Sequence, residues 1–189
     1  MLIVRVIAGE ARGHKLDTLK GNATRPTMDK VKGAIFNIIA PDVCDSCVLD
    51  LFAGSGALGI EALSRGAQST VFVDRSRESI GIVRKNLEHT KLDKKSIVMN
   101  CDAFEAVLRL KERELKFDII FIDPPYNKKI AQKALIFLES NGILKDSGII
   151  IVEHSKDDEM PDDVERLKRV KFRQYGSTVI SFYQYMKKE

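Results

Sequence analysis

The sequence predicts an α/β protein with a mostly parallel sheet, and three observations lead to this class. From Val48 onward, short runs of β-branched and aromatic residues alternate with amphipathic helical stretches. Most of these runs are apolar throughout, which is typical of parallel strands covered by helices on both faces. The last two runs lie so close together that they must pair antiparallel. With 189 residues and 44% hydrophobic content, the chain can build one core plus a short extension.

The predicted elements alternate between strands and helices. Parallel strands are expected at residues 48–52, 70–74, 96–100, 117–123 and 149–153. Helices are expected at residues 76–90, 103–114 and 130–140, where apolar side chains recur at helical spacing and should face the core. The terminal hairpin should use residues 166–175 and 179–185, on either side of Gly176.

The segment before residue 48 predicts an N-terminal extension. An apolar run at residues 2–8, a turn from Gly9 to Gly13 and a short strand around Leu16 indicate a β-hairpin. A helix should follow to about residue 39, with Thr27 as its N-cap and Pro41 as its stop signal. We therefore expect a hairpin and helix in residues 1–41 and a main domain in residues 42–189.

All of the excess positive charge lies at the start of the chain. The formal net charge is +4, and residues 1–33 hold seven basic side chains against three acidic ones. A phosphate-contacting arm joined to a neutral domain would have this distribution, and so would a solvated basic surface without a partner. The candidate phosphate-contacting residues of this arm are Arg5, Arg12, Lys15, Arg25 and Thr27.

Several classes of protein are disfavoured. Arg5 interrupts the first apolar stretch, which is unlike a signal peptide, and no run approaches the ~20 apolar residues of a membrane span. We expect a soluble, cytoplasmic protein.

The three cysteines predict neither disulfides nor a zinc site. Without an export signal, a disulfide framework is disfavoured, and the Cys44-x-x-Cys47 pair lacks two further ligands for a structural zinc. Reduced, packed thiols and no bound metal are therefore expected.

The most informative motif is Asp123-Pro124-Pro125-Tyr126, directly after an apolar strand. Each proline fixes φ and lacks an N–H group, so the segment is stiff and its carbonyls can accept hydrogen bonds. A planar group could stack on Tyr126 while its amine donates to the Asp123 carboxylate and the Pro124 carbonyl. Asp123, Pro124 and Tyr126 are thus catalytic candidates for chemistry on an exocyclic nitrogen. A strand that simply ends in a turn is the alternative interpretation.

A second motif runs from Asp50 to Gly59, at the end of the first parallel strand and the start of a helix. Gly54 and Gly56 permit a tight turn and the close approach of a ligand to the backbone. The spacing is near that of a dinucleotide-binding loop. However, Asp50 would repel a pyrophosphate, whereas it suits an ammonium group such as that of S-adenosylmethionine.

Two further aspartates follow the next strands of the predicted sheet. Asp74 lies near the offset at which an acidic residue binds a ribose, and Asp102 could accept a hydrogen bond from an adenine amine. With Asp50 and Asp123, four strands in succession place an acid at the carboxyl edge, where open α/β sheets bind ligands. Each of these aspartates taken alone could instead be a helix N-cap.

These motifs resemble the class I S-adenosylmethionine-dependent methyltransferases, with D-L-F-A-G-S-G (50–56) as the cofactor motif and D-P-P-Y (123–126) as the motif of amino-group methylation. Within that superfamily the chain is similar, nearly end to end, to the RsmD-type small-subunit ribosomal RNA guanine-N2 methyltransferases. The similarity also runs through R-V-I-A-G-E-A-R-G-H-K-L (5–16), R-P-T-M-D-K-V-K-G-A-I-F-N (25–37) and Y-G-S-T (175–178).

The resemblance implies a Rossmann-like, seven-stranded sheet with an antiparallel last strand, and a methyltransferase domain over residues 42–189. It implies methyl transfer from S-adenosylmethionine to the exocyclic N2 of a guanine in 16S ribosomal RNA, free or in an assembling 30S subunit. Asp74 would hold the ribose, Asp102 the adenine, and Asp123 with Tyr126 the guanine. The cofactor-binding candidates are Asp50, Phe52, Ala53, Gly54, Gly56, Asp74, Arg75, Asp102, Ala103 and Asp123.

Other functions share part of this pattern. A methyltransferase acting on adenine N6 or on a protein glutamine would use the same or a similar tetrapeptide. An NAD-dependent oxidoreductase would use the glycine loop and Asp74 but leave D-P-P-Y unexplained, and a non-catalytic RNA-binding module would make the acids superfluous. The chain also departs from the RsmD pattern at Lys32-Gly33, where Arg-Glu is usual, and a glycine inside a helix costs about 1 kcal/mol relative to alanine.

Overall fold

A twisted sheet with helices on both faces organises the protein. The computed structural model describes residues 4–19, 27–125 and 129–186. The strands are β1 (Val4–Arg5), β2 (Lys15–Leu16), β3 (Cys47–Asp50), β4 (Ser69–Asp74), β5 (Ser96–Asn100), β6 (Phe117–Ile122), β7 (Leu144–Ser155), β8 (Asp163–Val164), β9 (Leu167–Tyr175) and β10 (Thr178–Tyr185). The helices are α1 (Thr27–Ile38), α2 (Ala40–Val43), α3 (Ala57–Ser64), α4 (Arg77–Thr90), α5 (Ala103–Glu112) and α6 (Ile130–Asn141), with a 3₁₀ turn at Asp93–Lys95.

The main sheet has the strand order β5-β4-β3-β6-β7-β10-β9-β8. Strands β3 to β7 run parallel, while β10 is antiparallel to both β7 and β9. Strands β1 and β2 form a separate antiparallel pair, in which Val4 lies opposite Leu16. The carboxyl ends of β3 to β7 therefore lie at one edge of the sheet. The order of the strands reverses between β3 and β6, at the centre of the sheet, where open α/β sheets bind ligands.

The core has two layers, one on each face of the sheet. One layer contains Val48, Phe121 and Ile151, and the other contains Leu49, Ile120 and Ile150. Strand residues therefore alternate between the faces and are buried on both, as expected for parallel strands. Val6 and Phe36 of the N-terminal segment belong to the first layer, so the extension and the main sheet share one core.

The structure confirms the α/β class, the parallel strands and the terminal hairpin, with several corrections. Among the described residues the sheet has eight strands rather than the expected seven, because the two-residue strand β8 adds to the edge and is too short to show a periodic pattern. Strand β7 is longer than the predicted residues 149–153 because it begins at Leu144. Pro41 does not end α1, which stops at Ile38, but lies in the first turn of α2, where its missing N–H costs nothing. No helix in the described part of the chain is long and apolar enough to cross a membrane.

The cysteines only partly match the expectation of reduced, packed thiols. Cys44, Cys47 and Cys101 are free thiols, but Cys44 is exposed rather than packed. The predicted cap at Thr27 depends on the residues before α1 and on its own side chain, which lie outside the described residues. Among the residues that are described, no group of three or more histidine, cysteine or acidic side chains could hold a metal ion.

Candidate active site

The four predicted aspartates lie along the carboxyl edge of the sheet. Asp50 and Asp74 are the last residues of β3 and β4, Asp102 immediately precedes α5, and Asp123 directly follows β6. Because β5, β4, β3 and β6 are neighbouring parallel strands, their ends meet in this order. The fold thus brings together carboxylates that are far apart in the sequence.

The glycine loop between β3 and α3 provides an open cradle. Gly54 and Gly56 have φ values of 55° and 79°, in the left-handed region that favours glycine. A Cβ atom added at Gly54 would meet no atom within 4 Å, whereas one at Gly59 would lie 2.3 Å from Cε1 of Phe72. Gly59 therefore serves close packing of α3 on the sheet, and Gly54 leaves its backbone open to a ligand.

Asp50 braces this loop from inside the protein. Its side chain is only 2% exposed, and its Oδ2 accepts a hydrogen bond of 3.0 Å from the Gly59 N–H group. Burial raises the pKa of Asp50 to about 7, with a smaller contribution from the charge of Asp74, while the Gly59 hydrogen bond acts in the opposite direction. The carboxylate therefore faces the start of α3, and its hydrogen bond to Gly59 fixes the glycine loop that precedes this helix.

We expect the free energy of unfolding to depend on pH through Asp50. Because its pKa is raised in the folded state, the folded chain holds a proton that the unfolded chain releases above about pH 4. Stability should therefore decrease as pH rises from about 4 to about 7, by roughly 2 to 4 kcal/mol more than in Asp50→Asn. Urea unfolding at several pH values measures this difference. The control is Asp146→Asn, an exposed position in β7; parallel pH curves for wild type and Asp50→Asn would contradict the assignment.

Asp74 links the glycine loop to the next strand. Its Oδ2 accepts from the Gly54 N–H at 2.9 Å, and its Oδ1 accepts from the Ser76 N–H at 2.8 Å. The Asn100 amide donates to the carbonyl oxygens of Asp74 and Arg75, at 2.9 and 3.1 Å. Each carboxylate oxygen has a further lone pair, so Asp74 can accept ribose hydroxyl groups while it holds the loop.

The other predicted cofactor residues surround this loop. Phe52 is half-buried, and the N–H group of the buried Ala53 donates to the Val73 carbonyl at 2.8 Å. Asp102 caps α5, since its Oδ1 accepts from the Phe104 N–H at 2.9 Å. The side chains of Asp102 and Arg75 are exposed and Ala103 is buried. The interpretation of Asp102 as an N-cap is thus correct. The capping hydrogen bond uses one of the two carboxylate oxygens, Oδ1.

Pro124, the residue after Asp123, lines an acidic cavity. Burial raises the pKa of Asp123 well above its usual range, and the charges of Glu153 and Asp50 add to this effect. Pro124 and Glu153 line a cavity of about 270 Å³ at the ends of β6 and β7. The same cavity is lined by Asp157, Asp158, Glu159, Lys129 and His154, among others. Tyr126, the third catalytic candidate, lies outside the described residues.

Two of the predicted RNA contacts share a groove in the N-terminal segment. Arg5 and Arg12 line a groove of about 380 Å³ together with Lys30, which the sequence did not single out. Lys15 is exposed at the start of β2. Arg25 lies outside the described residues, as does the side chain of Thr27 at the start of α1.

Two buried polar side chains that the sequence analysis did not single out hold the N-terminal segment. Asn86 joins this segment to the glycine loop, and Glu61 joins it to α3. Asn86 of α4 donates to the carbonyls of Ser55 and Asp17, at 2.9 and 3.0 Å, and accepts from the Asp17 N–H at 2.8 Å. Glu61 of α3 is fully buried and accepts from the N–H groups of Ile7 and Ala8 at 2.8 and 3.0 Å. Polar residues at core positions of amphipathic helices were the available signal.

Glu61 also explains the unusual Lys32. The Lys32 ammonium group is 3.1 Å from Glu61 Oε2 and donates to the Arg5 carbonyl at 2.5 Å. Arg65 donates to Glu61 Oε1 at 2.8 Å. The hairpin, α1 and α3 therefore meet at a single buried carboxylate.

The sheet order, the reversed β10, the glycine loop and the carboxylates along one edge together define a class I methyltransferase. A family model described as "Conserved hypothetical protein 95" matches residues 4–184. The chain belongs to this family, which is that of the ribosomal RNA small subunit methyltransferase D proteins, and it is a methyltransferase.

Individual relatives show how far the similarity extends. YlbH of Bacillus subtilis is 41% identical over 181 residues, which are 96% of this chain and 98% of that protein. Ribosomal RNA small subunit methyltransferase D of Haemophilus influenzae is 39% identical over 155 residues, covering 82% and 80% of the two chains. The solved structure of yhhF from Escherichia coli superposes with a TM-score of 0.86 at 33% identity, over 97% of this chain and 98% of that one. The family, fold class and enzyme class predicted from the sequence are thus confirmed.

Proposed function

We propose that the enzyme transfers a methyl group from S-adenosylmethionine to the exocyclic N2 of a guanine in small-subunit ribosomal RNA. The observation that carries this proposal is the position of Asp123 and Pro124. They follow the central strand β6, whose neighbour β3 leads into the glycine loop, and Pro124 lines a cavity that is rich in carboxylates. The names of the methyltransferase D relatives support ribosomal RNA as the substrate.

The residues around the glycine loop fit S-adenosylmethionine. The open space at Gly54 admits a ligand against the backbone, Asp74 would bind the ribose and Asp102 the adenine amine. Asp50 braces the loop through the Gly59 N–H group, and the remaining lone pairs of its carboxylate would accept from the ammonium group of S-adenosylmethionine. When bound, S-adenosylmethionine supplies a methyl group on a positively charged sulfur.

Asp123 and Pro124 would prepare the amine for attack. The N2 lone pair of guanine is delocalised into the ring, so the nitrogen is a poor nucleophile until its hydrogens are held out of the ring plane. The Asp123 carboxylate and the Pro124 carbonyl would accept these two hydrogens. Because the pKa of Asp123 is raised, its carboxylate is a stronger base than usual and suits the proton that the nitrogen loses on methylation. Tyr126 would stack on the base.

The acidic cavity favours guanine over adenine. The base-pairing edge of guanine offers neighbouring N1–H and N2–H donors, whereas that of adenine offers one amine beside an acceptor nitrogen. Glu153 and Pro124 both line the cavity. Ile122 and Val152 are paired in parallel register, so Asp123 and Glu153 follow neighbouring residues on adjacent strands, and the charge of Glu153 contributes to the raised pKa of Asp123. Two adjacent carboxylates complement two adjacent donors.

The N-terminal segment would bind the phosphate backbone around the target. Arg5, Arg12 and Lys30 line one groove, and three cations around one concave surface suit a phosphate group. Lys15, Arg25 and Thr27 are the remaining proposed contacts. A base within folded RNA would be flipped out to reach Asp123.

Transfer of labelled methyl groups to ribosomal RNA tests the proposal. The substrates are naked 16S ribosomal RNA and assembled 30S subunits, each digested to nucleosides after the reaction. We expect N2-methylguanosine as the labelled product, and stabilisation of the protein against heat by S-adenosylhomocysteine but not by NAD. Labelled N6-methyladenosine, or label in ribosomal protein alone, would replace the guanine assignment with one of the competing acceptors.

A further inference from the structure

We propose that strand β9 is a second RNA-binding surface, in which Lys171 and Arg173 contact phosphates of the RNA that occupies the active site. This inference rests on the proposed function and extends it to the substrate contacts. Three observations support the inference: β9 is exposed, β9 is positively charged, and its pairing through β10 aligns it with Glu153 of the cavity.

Strand β9 is unusually exposed for part of a sheet. Residues 170–174 are exposed without interruption, and Val170 and Phe172 keep 53% and 56% of their surface accessible. Strand β8 pairs with β9 only at Leu167 and Lys168, so the rest of this edge has no paired strand among the described residues. Both faces and the outer edge of this stretch are thus open to a partner.

The charge of β9 fits a polyanion. Residues 166–175 contain five basic side chains and no acidic one. Arg166 and Arg169 form ion pairs with Glu139 and Asp162. For Lys171 and Arg173, no carboxylate lies within ion-pair distance in the described part of the chain, so their positive charges remain for a partner.

The register places these two cations beside the active site. Ile180 of β10 pairs with Glu153 of β7 on one side and with Arg173 on the other, while Phe182 pairs with Ile151 and Lys171. Directly paired residues share a face of the sheet, so Arg173, Lys171 and Glu153 lie on one face. Two strand spacings separate Arg173 from Glu153, which is about 10 Å. The backbone of a strand whose target base lies in the cavity beside Glu153 would therefore pass close to these cations.

The same face carries the N-terminal segment. Ile151, Ile180 and Phe182 belong to the core layer that also contains Val6 and Phe36. The groove lined by Arg5, Arg12 and Lys30 and the cations of β9 thus belong to elements on one face of the sheet. RNA is favoured over a second copy of the chain, because antiparallel pairing of two β9 edges would bring like charges together.

The double variant Lys171→Ala/Arg173→Ala tests the proposal. The control, Lys94→Ala/Lys116→Ala, removes two exposed cations at the opposite, amino edge of the sheet. We expect the β9 variant to raise KM for the RNA at least about 10-fold while kcat at saturating RNA stays within about twofold, because phosphate contacts position the substrate. The slope of log affinity against log salt should decrease by about 1.4. The control variant should leave all three quantities unchanged.

Other results would overturn the proposal in distinct ways. Equal KM values and salt slopes for the β9 variant and the control would show that β9 does not contact RNA. A change only in self-association, measured by light scattering, would assign the strand to contacts between copies of the chain. If wild type transfers no methyl group to RNA, the proposed function fails. Equilibrium binding of the same RNA would then still decide whether β9 contributes to its affinity.

Discussion

Replacement of Asp123 by alanine is expected to reduce methyl transfer by about 10³-fold while leaving the affinity for S-adenosylhomocysteine within about twofold of wild type. Asp123 directly precedes Pro124, which lines the cavity proposed for the base, and the raised pKa of the Asp123 carboxyl suits a proton acceptor. The glycine loop, in contrast, is held by Asp50 and Asp74. Single-turnover transfer to ribosomal RNA and calorimetric titration of S-adenosylhomocysteine measure the two quantities separately.

Two further variants sharpen this experiment. Asp123→Asn keeps the shape and one acceptor but cannot take up a proton, so we expect it to lose most of the activity as well. Asp146→Ala removes an exposed acid at the opposite end of β7 and should retain wild-type activity. A parallel loss of transfer and cofactor affinity in Asp123→Ala would assign Asp123 to cofactor binding instead.

The sequence predicted which acids lie together at the carboxyl edge of the sheet but not which way each side chain faces. Each aspartate follows a recognisable strand, and parallel strands align their carboxyl ends, so the grouping follows from topology alone. The orientation depends on strand parity, which an apolar run buried on both faces does not reveal. In the structure the Asp50 side chain is buried and its Oδ2 accepts from the Gly59 N–H, an orientation that the sequence did not predict, while its contact with an ammonium group stays a prediction.

Contacts between distant segments were the least predictable part of the site. Asn86 bridges Ser55 and Asp17, and Glu61 joins Ile7 to Lys32. Neither pattern is local, so the periodicity of α3 and α4 shows only that these positions face the interior. These contacts nevertheless connect the proposed RNA-binding segment with the glycine loop, because α3 begins directly after that loop.

We expect Glu61→Ala to lower the free energy of unfolding by about 3 to 5 kcal/mol, the largest effect on stability of any change considered. The buried Glu61 carboxylate accepts hydrogen bonds from two backbone N–H groups and pairs with both Lys32 and Arg65. Its removal leaves Lys32, a residue that is only 5% exposed, without this counter-charge and leaves the N–H groups of Ile7 and Ala8 without their acceptor. Urea unfolding measures the loss.

Comparison with Glu61→Gln and Lys32→Met separates charge from shape. Glutamine keeps one acceptor oxygen but adds two donors next to Lys32, so we expect an intermediate loss. In the double variant Glu61→Gln/Lys32→Met, the ion pair between the two residues is absent, and much of the loss should be recovered because no buried ammonium group then lacks the Glu61 carboxylate. Additive effects of the two substitutions would contradict a direct coupling between them.

In Glu61→Gln, the affinity for RNA should fall more than the affinity for the cofactor, because Glu61 holds the hairpin that carries Arg5 and Arg12.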